Sequence, residues 1–105
     1  MTLRRPSRIL FPQKTIERDV NLMRLRLRKV ARQVYRGEMS LDQARAEGIT
    51  VIAESYSTTL TQINRFLLKH QLNHAVTGYE QELTEARDSA LQEWTQIVGD
   101  MPNMR

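Results

Sequence analysis

An all-α fold, either a small three-helix assembly or a helical hairpin plus a third helix, with an extended basic N-terminal arm, is what three features of this 105-residue chain predict. Turn formers are scarce. Four Gly and three Pro are too few for a many-stranded β architecture, and 40% apolar residues are too many for wholesale disorder. Apolar residues recur every three or four positions over three long stretches. Between those stretches, helix stop and start signals stand only a few residues apart.

Residues 1–14 lack any periodicity and hold Pro6 and Pro12, whose fixed φ and missing N–H disfavour a continuous helix, so they are expected to form the arm. A single helical domain, 15–99, follows, with helices at about 15–36, 41–73 and 78–98 and a tail at 100–105. Thr15 is the expected N-cap of the first helix, and Glu17 and Asp19 place negative charge in its first turn. Its seam is Ile16, Val20, Met23, Leu27, Val30 and Val34, spaced by fours and threes. Gly37 stands where a helix-ending left-handed residue is expected, and Ser40 with Gln43 makes a capping box for the second helix.

The second seam comprises Ile49, Ile52, Tyr56, Leu60, Ile63 and Leu67, widened by Phe66, Leu68 and Leu72. Gly48 is its weak point, costing about 1 kcal/mol against Ala in a helix interior and offering a place for the helix to divide. The segment "ITVIAESYSTT" has strand propensity, but the continuing 3.6-residue period favours helix. Thr77 and Glu80 form another capping box, and Tyr79, Leu83, Ala86, Ala90, Trp94 and Ile97 make the third seam before Gly99 and Pro102. Trp94 and Tyr56, both on seams, are expected in the core.

The net charge of +4 conceals an uneven distribution. Residues 1–36 carry eleven basic and two acidic side chains, +9, whereas the remaining 69 carry five basic and ten acidic, −5. A basic end of this kind is suited to an anionic surface. At about one domain in length, the chain is also near the lower size limit for a self-sufficient core, so burial against a partner or oligomerisation is expected. No apolar run is long enough to span a bilayer or serve as a secretory core. The basic, acid-free first 15 residues superficially resemble an organellar transit peptide, against which the two prolines argue. The expected location is the cytoplasm or a virion.

Catalytic chemistry finds little support. With no cysteine there are no disulfides, thiolate nucleophiles or cysteine metal clusters. His70 and His74, four apart in "HQLNH", would share one helix face, as in the zinc-protease signature, but Gln71 stands where that signature has its general base. Glu80, Glu82, Glu85, Asp88 and Glu93 are spread around a helix, which suits a solvated face better than a converging acid–base pair. The chain lacks both a phosphate-cradling Gly-rich loop and a G-x-S-x-G motif. No enzyme, metal, cofactor or small-molecule substrate is therefore expected.

The strongest feature is the run "RLRLRKVARQVYRG". On a helix Arg24, Arg28, Arg32 and Arg36 form a slowly drifting row, with Lys29 and Arg18 on its margin and the apolar seam on the other side. A wet face usually mixes its charges. Here five arginines and a lysine with no acid between 20 and 37 repel one another at i and i+4. A phosphate backbone, an acidic protein surface, or the acidic third helix of the same or a neighbouring chain could each offset that repulsion. Leu22 and Leu25 lie among these cations, and Tyr35 projects beside Arg24, Arg28 and Arg32, where it could stack on a base, support a guanidinium or simply cover the helix flank. Arg4, Arg5 and Arg8 in the arm complete the candidate contact residues.

The run "VYRGEMSLDQARAEGITVIAESYSTTLTQINRFLLKH", residues 34–70, resembles helical segments of phage minor head and portal-associated proteins. In those an arginine-rich helix, a short turn with serine or glycine and a long amphipathic helix follow in this order. The resemblance covers about a third of the chain and assigns no residue a role. It implies a place in a crowded assembly near packaged DNA, often in several copies. The leading expectation is a structural or assembly protein that docks on a protein partner, or on its own copies, through arm and first helix. The alternative is a small nucleic-acid-binding protein that meets phosphates without sequence preference. An inhibitor or adaptor presenting the acidic helix is a further option.

Overall fold

The computed structural model describes the backbone of residues 4–72 and 75–101 and the side chains of 13–72, 75 and 77–101. Three helices account for nearly all of it: α1, Arg4–Tyr35; α2, Leu41–Lys69; and α3, Val76–Asp100. No strand occurs among the described residues, and "ITVIAESYSTT" is helical throughout.

Local chemistry sets most of the boundaries. At the end of α1, Gly37 adopts φ +73°, its N–H donates to Val34 O (3.0 Å), and the Glu38 N–H donates to Gln33 O (2.8 Å). This pair of bonds is the Schellman closure, which the left-handed glycine makes accessible. Ser40 then opens α2 with both arms of its capping box made: its Oγ accepts from Gln43 N–H (3.1 Å), and its own N–H donates to Gln43 Oε1 (3.0 Å). The end of α2 repeats the Schellman closure with a less suitable residue. Gln71 takes φ +58° and donates to Leu68 O (3.1 Å), while Leu72 N–H donates to Leu67 O (2.7 Å). That turn ends α2 at Lys69, short of the expected 73, and makes His70 its C-cap.

Two expected caps are not used. Thr15 lies inside α1 and is buried, because helical backbone continues back through Pro12 and Pro6 to Arg4. Residues 4–14 are therefore helix where an extended arm was expected; 1–3 lie outside the described residues. Pro6 is accommodated because it occupies the first turn, where an N–H has no intrahelical acceptor; Pro12 costs the helix one bond. α3 begins at Val76, and no side chain caps it. Ala75 N–H already donates to Leu72 O (2.9 Å), so the chain is wound before Thr77 could cap it.

Cross-helix bonds fix the topology. Asp19 meets Thr59 and Arg26 meets Glu54, so α1 and α2 are antiparallel. Tyr56 meets Thr84 and Trp94 meets Ala44, so α2 and α3 are antiparallel as well. Gln13 donates to Glu82 (2.6 Å) across the parallel pair α1 and α3. In this register Arg4–Arg8 lie past the ends of α2 and α3, and α1 overhangs an elongated bundle of 61 × 22 × 17 Å.

The core forms two clusters. The larger gathers Met23, Leu27, Val30, Val34, Ala44, Val51, Ile52, Ala90, Trp94, Val98 and Met101 around the α1–α2 turn; the smaller, Ile16, Ile63, Leu67 and Leu83, lies at the other end. Every α1 seam residue is inside or packed against a cluster. On α2 and α3 the seam shifts. Leu68 projects about 160° around the helix from Ile52 and is exposed, and Ile49 and Ile97 sit at the rim. Val51 and Val98 take the buried positions instead.

Gly48 does not divide α2. It is buried against Trp94, whose indole occupies the space a Cβ would need, and Trp94 Nε1 donates to Ala44 O one turn away (3.2 Å). Glycine here permits a close approach between helices at the expense of local helix propensity.

Candidate interaction surface

Beginning with α1, helical geometry divides the expected contact residues between two grooves. Arg24 and Arg28 flank the seam on the side of α3. They line a shallow groove with Ala31, Ala90, Glu93, Trp94 and Ile97, and Arg24 also shares a second stretch of it with Glu82 and Glu85. The start of the arginine row thus faces the acidic helix of its own chain. Successive steps of four drift by about 40°, so Arg32 and Arg36 turn away from α3 towards solvent.

On the other flank, Leu22, Leu25, Lys29 and Arg32 border a groove between α1 and α2 of about 810 Å³, floored by Met23 and Thr59 and walled on α2 by Ser55, Thr58 and Gln62. Leu22 is 51% exposed and Leu25 54%, as expected from their place among the cations. Tyr35 is equally open at 54%, at the end of the row. Of Arg4, Arg5 and Arg8 the structure describes only the backbone, in the overhanging turns of α1; their side chains lie outside the described residues.

Among the described residues, no carboxylate lies within ion-pair distance of Arg24, Arg28, Lys29, Arg32 or Arg36. The cross-helix ion pair on this face is Arg26 with Glu54 (3.3 Å), both more than half exposed. Asp19, expected to favour a helix start, is instead largely buried mid-helix: its Oδ2 accepts from Thr59 Oγ1 (2.7 Å) and its Oδ1 meets Arg18 Nε (3.2 Å). Both acids at this groove are therefore engaged within the chain.

Arg26, Glu54 and the short-chain wall of α2 were not singled out from the sequence. "ESYSTT" has no hydropathy signal, and only helical spacing places its Ser55 and Thr58 on one line with Gln62 beyond it. Elsewhere, Arg87 stacks over the Tyr56 ring (4.7 Å to the centroid), and the His70 ring packs on Phe66 at 4.4 Å. Of the histidine pair, His70 caps α2, which stops at Lys69, and His74 lies outside the described residues. Among the described residues no three His, Cys, Asp or Glu side chains come together as a metal site would require, and no helix is long and apolar enough to cross a membrane.

No family model, curated protein or solved structure matches the chain.

Proposed function

We propose that the protein is a non-enzymatic helical assembly protein that docks on a larger protein complex through α1 and its basic N-terminal turns. The observation that carries this reading is the mixture on the outer face of α1: Leu22 and Leu25, half exposed, set among Lys29, Arg32 and Arg36, which have no carboxylate partner among the described residues. Apolar side chains beside cations suit a protein surface that is both greasy and acidic, with charge guiding encounter and the leucines supplying burial. The pattern that residues 34–70 share with phage minor head and portal-associated proteins supports a virion, near packaged DNA, as that complex.

The same unpaired cations favour a second reading, non-specific nucleic-acid binding. Arg24, Arg28, Arg32 and Arg36 are about 6 Å apart along the helix, a spacing that lets neighbouring side chains engage successive phosphates. If five cations neutralise phosphates, log affinity falls with log salt at a slope of about −4 to −5, and reversing Arg24, Arg28 and Arg32 to Glu removes roughly three units of it.

One experiment separates the two. The immobilised chain is incubated with nuclease-treated extract of the cells or particles that make it, beside a variant with Leu22→Asp and Leu25→Asp, and purified chain is sized by light scattering with and without DNA at two salt concentrations. The docking reading expects a defined protein set retained after nuclease and lost in the variant. Retention that nuclease abolishes, with the salt slope above, decides for nucleic acid. A chain that stays monomeric and retains nothing sinks both.

A further inference from the structure

We infer that the groove between α1 and α2 receives one amphipathic helix of a different protein, acidic along its flanks. The inference rests on the docking reading above and specifies its site and the chemistry of the partner. Along α1 the groove extends from Asp19 to Arg32, about 20 Å at the helical rise, the length of nearly four turns. Leu22 and Leu25, three residues apart on one helix, form an apolar ridge, and Ser55 and Thr58 opposite are short enough for a third helix axis to approach both walls.

Charge selects the occupant. Lys29 and Arg32 stand on the α1 rim without a carboxylate, while Asp19 and Glu54, the acids of the groove, are already held by Thr59, Arg18 and Arg26. The free electrostatic demand is therefore for negative charge. A second copy of the chain answers it poorly. Its acidic helix α3 has Leu83, Ala90, Trp94 and Val98 buried in its own core and, among the described residues, offers Ile97 as its large exposed hydrophobe, and its α1 would bring a like-charged row. Nucleic acid supplies the charge but leaves Leu22 and Leu25 against a hydrated backbone. An acidic helix with an apolar ridge satisfies both features.

The test uses the full chain. A display library of 14-residue helical peptides, with two leucines fixed three apart and all other positions random, is selected on immobilised protein, and recovered peptides are titrated by fluorescence anisotropy. The expected pool is enriched in Glu and Asp beside the leucines. Its binding should weaken about tenfold or more, the loss of one buried anchor, when Thr58→Arg fills the groove or Leu25→Asp breaks the ridge. Both positions are exposed, so thermal melts should match wild type; Leu25→Ala provides a milder variant if one does not. A pool with no acidic bias overturns the inference, as does recovery no better than on Thr58→Arg protein, or dimerisation of the chain that Thr58→Arg abolishes. These outcomes leave the docking reading to the nuclease-resistant capture above, which scores any protein held through Leu22 and Leu25, whatever its fold or charge.

Discussion

A methyl group added to Gly48 would stand well inside contact distance of the Trp94 indole, which is itself held by its bond to Ala44 O. The ordinary expectation for a helical glycine, a gain of about 1 kcal/mol on substitution by Ala, is therefore reversed. Gly48→Ala should destabilise the protein by roughly 2–3 kcal/mol, the cost of overpacking a rigid contact, measured by urea unfolding. In a Trp94→Ala background the same change should be neutral or favourable. A neutral Gly48→Ala in the wild-type protein would show that the two helices can part at no cost. Thr59 poses a similar residue-level question, since its hydroxyl is buried and bonded to a carboxylate of another helix. Thr59→Val keeps the shape, removes the donor and should cost about 1.5–3 kcal/mol, whereas Thr59→Ser should retain most of the stability.

The ends of the helices show which local signals decide a boundary. Gly37 and Gln71 occupy equivalent places in equivalent turns, but only glycine adopts positive φ without a Cβ penalty. Gln71→Gly should raise stability by roughly 0.5–1 kcal/mol through relief of that conformation, set against the entropy of the freer unfolded chain; an unchanged or lower melting temperature would count against this account. Ser40→Ala should cost about 1 kcal/mol, since it removes one arm of a capping box whose two bonds are both formed. The α1 seam, the Gly37 stop and the Ser40 start were legible in the sequence because each depends on neighbours within one or two turns. Thr77 and Glu80 had an equally good cap signature, yet the turn before them had already started α3. Gly48 looked like a break because its reason, Trp94, is on another helix. The basic residues of the contact face were legible as charges. Their division between a groove facing α3 and a groove facing α2 was not, since it depends on how far the row drifts around α1 and on which helix packs on each side. The short-chain wall of α2 gave no hydropathy signal at all.

Across the whole molecule, burial is unequal. The larger cluster collects residues from all three helices around Trp94, and the smaller one holds four buried residues at the end where α2 turns into α3. Opening from that end should require less free energy, so amides of Ile63 and Leu67 should exchange with solvent about tenfold faster than those of Val51 and Ile52. Uniform protection along α2 would indicate a single cooperative unit instead. Charge is unequal too: the cations of α1 begin beside the carboxylates of α3 and end pointing into water, so the chain offsets part of its own repulsion and leaves the remainder for something outside it. How much is left depends on the height at which α3 stands. A slide of one turn along α2, about 5.4 Å, would bring the indole against the side chain of Ala44 or Ile52 in place of bare backbone. Gly48 is thus a notch that stops α3 at one height, and a residue without a side chain sets where Glu82, Glu85 and Glu93 stand along the arginines of α1.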